Sequence, residues 1–109
     1  MSLFKSDDFI ADVERQFDWY QDNADWDVAD RYLNTVEATC RLLNKLPLIG
    51  SKTGLAHPRL KEWRFMVVLR PFQKHILFYE VKDGGTIMRR AMHGHRDLPR
   101  RLTEPPEAA

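Results

Sequence analysis

A chain of 109 residues, 43% hydrophobic and 30% charged with a net charge of +1, makes one soluble domain that buries about two thirds of its unfolded surface and leaves no second core to fill. Its longest apolar run, Phe65 to Leu69, falls far short of the ~20 residues of a membrane helix, and the acidic start from Asp7 to Glu14 does not read as an export signal, so the expected location is the cytoplasm. The single cysteine, Cys40, excludes an internal disulfide framework and any zinc site built on paired cysteines.

Leu3-Phe4-Lys5 reads as a short strand. Ser6 is placed to cap a helix whose apolar residues Phe9, Ile10, Val13, Phe17 and Tyr20 recur at threes and fours, with Asp12, Glu14, Arg15 and Asp18 on the opposite, wet face. Asp22 to Asp25 interrupt that pattern and cap a second helix, whose stripe is Ala29, Tyr32, Leu33, Val36, Cys40 and Leu43; Pro47 and Gly50 end it. Two such helices joined by a short loop form an antiparallel hairpin with both stripes turned to a third element.

Near Pro47 the hydrophobic period changes to that of strands. Trp63 to Leu69, His75 to Val81 and Thr86 to Met92 are the candidates, broken by Arg70-Pro71-Phe72 and joined at a hairpin turn by Asp83-Gly84-Gly85. Alternation places Arg64 with Met66 and Val68, opposite Trp63, Phe65, Val67 and Leu69, and places Arg90 with Met88 and Met92. The expected fold is α+β in the order β-α-α-β-β-β, a helical hairpin packed on one face of a mainly antiparallel twisted sheet. It occupies residues 1–102 as a single domain. Residues 103–109, with Pro105-Pro106 and no large apolar side chain, read as a disordered tail.

Familiar catalytic signatures do not occur: there is no GxSxG, HExxH or CxxC, and the glycines are too scattered for a phosphate loop. His93-Gly94-His95 places two imidazoles on one strand face, but no carboxylate or cysteine completes a ligand set, so neither a metal nor a cofactor is expected. Cys40 falls in an apolar stripe and reads as a small buried hydrophobe. What stands out is charge. Met1 to Leu46 holds five Lys/Arg against ten Asp/Glu, whereas Pro47 to Ala109 holds twelve against six together with all four histidines. The basic half suits an anionic partner, either nucleic acid or an acidic protein segment, or else pairs with the acidic half. Its cations are concentrated on and after the strands, at Arg64, Lys74, Arg89, Arg90, His93, His95, Arg96, Arg100 and Arg101.

Several separated marks then fall into one order: Asp12; Ala29 and Leu33; Leu43, Pro47 and Gly50; Tyr79 in the strand Ile76-Leu77-Phe78-Tyr79; and the ending His93-Gly94-His95-Arg96-Asp97-Leu98-Pro99. Together they resemble the ParE/RelE toxin superfamily of bacterial type II toxin–antitoxin systems, and the ending resembles the ParE branch. The resemblance implies two possible actions. RelE-like members cut messenger RNA on the ribosome with basic residues and commonly a tyrosine near the C-terminus; a ribonuclease built on this chain would use Arg96, His93, His95 and Arg64. Here Ile76 stands where that branch carries an arginine, and Leu102 about where it carries the tyrosine. ParE-like members inhibit DNA gyrase by binding, with no chemistry of their own. The reading adopted is the ParE-like one: a toxin associated with plasmid stabilisation, held in a hetero-oligomer by a cognate antitoxin. Its alternatives are a RelE-like ribonuclease and a relative that has lost toxicity and only binds its antitoxin. Arg64, Arg90, His93, His95 and Arg96 are the expected target-binding residues, with Asp97 offering Arg96 or Arg64 a partner that would make the same segment a structural clamp.

Overall fold

Two long helices lie against a five-stranded sheet in the residues described, 2–94 and 98–106 of a computed structural model. In chain order the elements are β1 (Leu3–Lys5), α1 (Asp7–Asn23), α2 (Trp26–Lys45), β2 (Ser51–Lys52), β3 (Arg64–Val67), β4 (His75–Lys82), β5 (Gly85–His93) and α3 (Leu98–Thr103). Both hairpin helices begin at caps legible in the sequence. The Ser6 hydroxyl accepts from the Phe9 amide at 3.1 Å, the Asp25 carboxylate accepts from the Val28 amide at 2.8 Å, and Asp7, Asp8 and Asp27 set negative charge at the positive helix ends.

The strand order is β1-β5-β4-β3-β2. β1 runs parallel to β5, and every other neighbouring pair is antiparallel. Asp83 (φ 53°) and Gly84 (φ 75°) both adopt left-handed conformations, which is the turn that matches strand twist between β4 and β5. Alternation along β4 divides the core. Leu77 and Tyr79 join Phe9, Tyr32, Val36, Cys40 and Leu43 under the helices, whereas Ile76 and Phe78 join Leu60, Trp63, Met92 and Leu102 on the far face. Because α3 and the segment before β3 cover that far face, β4 is buried on both sides from His75 to Tyr79.

Four expectations need correction. Asp12 is not on a wet face; it is 8% exposed and ion-paired beneath the chain's end. Met88 and Met92 do not share a face, because a bulge opposite Phe78 and Tyr79 takes up Arg89 and reverses the alternation. The strand expected over Trp63 to Leu69 is ordered as a strand only from Arg64 to Val67, while β2 and α3 are additions that neither period announced. Finally, the chain does not loosen at residue 103. Thr103 closes α3, Arg90 holds the Glu104 carbonyl and Pro106 is buried; residues 107–109 lie outside those described.

Candidate functional site

Arg90 sits on β5 just beyond the register covered by the three-residue β1, so its side chain meets α1 on one side and the C-terminal segment on the other. Its Nε donates to Asp12 Oδ2 at 2.7 Å and its Nη2 to Asp12 Oδ1 at 3.0 Å, a two-pronged pair with both partners buried. Asp12 Oδ2 also accepts from the Ala91 amide at 2.9 Å. The remaining nitrogen, Nη1, reaches the carbonyls of Arg101 (3.1 Å), Leu102 (3.3 Å) and Glu104 (2.5 Å). Arg90, expected to touch a target, is thus 1% exposed and holds the fold's end in place.

A second clamp accounts for three more of the sequence marks. The Tyr79 hydroxyl donates to the Pro47 carbonyl at 2.7 Å and accepts from the Gly50 amide at 3.0 Å, which ties the chain leaving α2 to the sheet centre. Gly50 must lack a side chain here, since a Cβ would stand 2.7 Å from the Phe65 carbonyl oxygen as well as against the Tyr79 ring. Burial raises the Tyr79 hydroxyl above its ordinary range, with the Gly50 amide and Arg64 opposing. Arg64 donates to the Gly50 carbonyl at 2.7 Å and is half-buried, so it completes this clamp rather than standing clear on the surface.

Among the described residues of the expected site, His93 is the one left exposed. It ends β5 directly across from His75, and the two rings stand 4.7 Å apart between centroids. His75 is buried among Tyr20, Tyr32 and Phe72, and its Nε2 lies 2.7 Å from the Tyr20 hydroxyl. Burial, with His93 beside it, holds His75 down at about 4, so it is neutral at pH 7. A cavity of about 440 Å³ opens over this group, with Tyr20, Phe72, Lys74, His75 and His93 in its wall. His95, Arg96 and Asp97 lie outside the described residues. The sequence pattern pointed along the strand from His93 to His95 and passed over Tyr20 and His75, whose relation to His93 exists only through pairing of β4 with β5.

Elsewhere the cationic constellation is largely engaged within the molecule. Arg89 pairs with Glu80 at 2.7 Å, Arg100 with Glu104 at 3.0 Å, and Arg101 donates to the His93 carbonyl at 3.1 Å. Cys40 is fully buried, and burial pushes its thiol up to about 12, as suits an inert core residue. Apolar surface does remain exposed. Leu46, Leu48 and Ile49 form a patch between α2 and β2, at 50%, 68% and 49% exposure, and Trp19 and Trp26 flank the turn of the helical hairpin. No helix among the described residues is long and apolar enough to cross a membrane.

Comparison with known proteins agrees with the family resemblance. The model of a family described as the ParE toxin of type II toxin–antitoxin systems, parDE, matches residues 3–98. Among solved structures, one described as a chromosomal ParDE TA system from P. aeruginosa superposes with a TM-score of 0.71 over 87% of this chain and 97% of that one, at 17% identity, a likeness of fold. Comparison with curated proteins gives no match.

Proposed function

We propose that this chain, which belongs to the ParE toxin family of type II toxin–antitoxin systems, acts by binding DNA gyrase rather than by cutting RNA, and that a cognate antitoxin holds it inactive in the cytoplasm. The observation that carries the choice of target lies on the far face of the sheet. Ile76, where by the resemblance the RNA-cutting branch carries an arginine, and Leu102, about where it carries the tyrosine, are 1% and 2% exposed and belong to one apolar cluster with Phe78 and Met92. A cation that stabilises phosphate charge and a hydroxyl that moves a proton are replaced there by packed hydrocarbon. Positioned acid–base groups supply on the order of 10² to 10⁴-fold each, so a chain lacking both has little ribonuclease rate to offer.

Contact with the target falls to the exposed end of β5, His93, and to His95 and Arg96 that follow it, with Arg64 contributing from its clamp; burial removes Arg90 from this group. The antitoxin is an acidic segment, disordered until bound, whose apolar anchors cover Leu46, Leu48 and Ile49 in a hetero-oligomer. Inducing the chain alone in a bacterial host tests the reading. The expected outcome is a DNA-damage response that precedes any fall in protein synthesis and that is abolished by Arg96→Ala with the melting temperature retained. Translation arrest with codon-specific cuts in transcripts, lost in Arg96→Ala, is the outcome that favours the ribonuclease instead.

A further inference from the structure

We propose that His75 and His93 form a two-imidazole site for a divalent transition-metal ion of the copper, nickel or zinc type, with Tyr20 as the group that orients the buried ligand. The inference goes beyond gyrase binding and does not depend on it. It begins with strand register: His75 and His93 are direct partners across β4 and β5, so both side chains leave the same face at the same level. Their rings lie 4.7 Å apart at 54° to one another. An ion bound to nitrogens at about 2.0 to 2.1 Å needs them about 3 Å apart, and the exposed His93 ring is the one that would turn to meet it.

The surroundings of His75 fit a ligand whose second nitrogen is already fixed. Its Nε2 is engaged by the Tyr20 hydroxyl at 2.7 Å, while Nδ1 makes no hydrogen bond among the described residues. In the tautomer whose Nε2–H donates to the Tyr20 oxygen, the lone pair of Nδ1 is the free one, which is the arrangement by which outer groups set the tautomer of a metal-binding histidine. Packing against Tyr20, Tyr32 and Phe72 holds the ring still. The cavity above it, about 440 Å³, has room for the water molecules that would complete the coordination.

The cavity wall also selects the ion. Its described residues include Lys74 and no carboxylate, and Gln73 supplies a single neutral amide oxygen, so magnesium and calcium, which require several oxygen donors, are poorly served there. Two neutral imidazoles suit copper, nickel and zinc, in the affinity order that places copper highest. Lys74 opposes any cation and keeps the affinity moderate.

Titration of the full-length, tag-free protein with zinc, nickel and copper chloride, followed by calorimetry and by NMR of the imidazole nitrogens, tests the site. One equivalent is expected to bind in the micromolar range, tightest for copper, with shifts at His75 and His93 and none on addition of magnesium chloride. His93→Gln, at an exposed position, should weaken binding tenfold or more with an unchanged melting temperature, and Tyr20→Phe should weaken it about tenfold through the loss of the orienting hydroxyl. Binding that falls less than tenfold in His93→Gln, that is lost instead in His95→Gln, or that is absent for all three ions at millimolar concentration overturns the proposal.

Discussion

The guanidinium of Arg90 lies out of reach of solvent, and everything around it accepts a hydrogen bond. Removing it leaves the Asp12 carboxylate buried without its counter-charge, which typically costs about 3 to 5 kcal/mol. Arg90→Met is therefore expected to lower unfolding free energy by that amount in urea, and a loss below about 1 kcal/mol would contradict the clamp. Tyr79→Phe strips the partner from the Gly50 amide and the Pro47 carbonyl and should cost about 1 to 3 kcal/mol by the same measurement. Cys40, buried and with its thiol pushed up to about 12, should resist iodoacetamide in the folded protein and react only on unfolding; labelling at native rates would show that the helix interface opens. The sequence held both clamps in view, but as separate marks. Asp12 and Arg90 stand 78 positions apart, and helical period assigns Asp12 to the face away from the apolar stripe without revealing that the C-terminal segment will cover that flank.

At the scale of elements, the legible parts were those with a strong period or a cap: α1, α2, β4, β5 and the turn at Asp83-Gly84. β2 is two exposed residues held by backbone pairing to Arg64 and Phe65, and no side-chain pattern records that. α3 was hidden by Pro99 and by its arginines, which read only as part of a cationic cluster until Leu102 is seen packed with Ile76 and Phe78. Leu102→Ala should accordingly destabilise the fold by about 2 to 5 kcal/mol, and a loss below about 1 kcal/mol would contradict its packing on the sheet. The bulge at Arg89 had the larger effect on the site reading, since it separates Met88 from Met92 and turns Arg90 into the core edge. The α2–β2 connection carries a different prediction. Leu48, 68% exposed, contributes little to folding, so Leu48→Asp should leave the melting temperature within a degree or two while abolishing co-purification with the antitoxin; retained co-purification would place the antitoxin elsewhere.

Over the whole molecule the charge division between the two halves largely persists in the fold. Among the described ion pairs, Arg90 and Asp12 join the halves directly, Lys5 and Glu37 pair within the first, and Arg89 and Arg100 pair with Glu80 and Glu104 inside the second. Pairs inside the second half leave its net charge unchanged, so on the proposed reading long-range attraction for an acidic antitoxin or a gyrase surface rests on that basic half. Its expected sign is unchanged: association should slow as salt shortens the screening length toward about 3 Å at 1 M, with dissociation less affected. On the proposed reading, apolar packing at Ile76 and Leu102 and clamping at Arg90 leave the exposed end of β5, with Arg64, as the surface that meets a target. The most direct test is supercoiling of relaxed plasmid by purified DNA gyrase with the purified chain added. Gyrase inhibition that rises with the amount of chain and is reversed by antitoxin is the predicted result, and full gyrase activity beside ribosome-dependent cleavage of messenger RNA by the same preparation is the result that would contradict it.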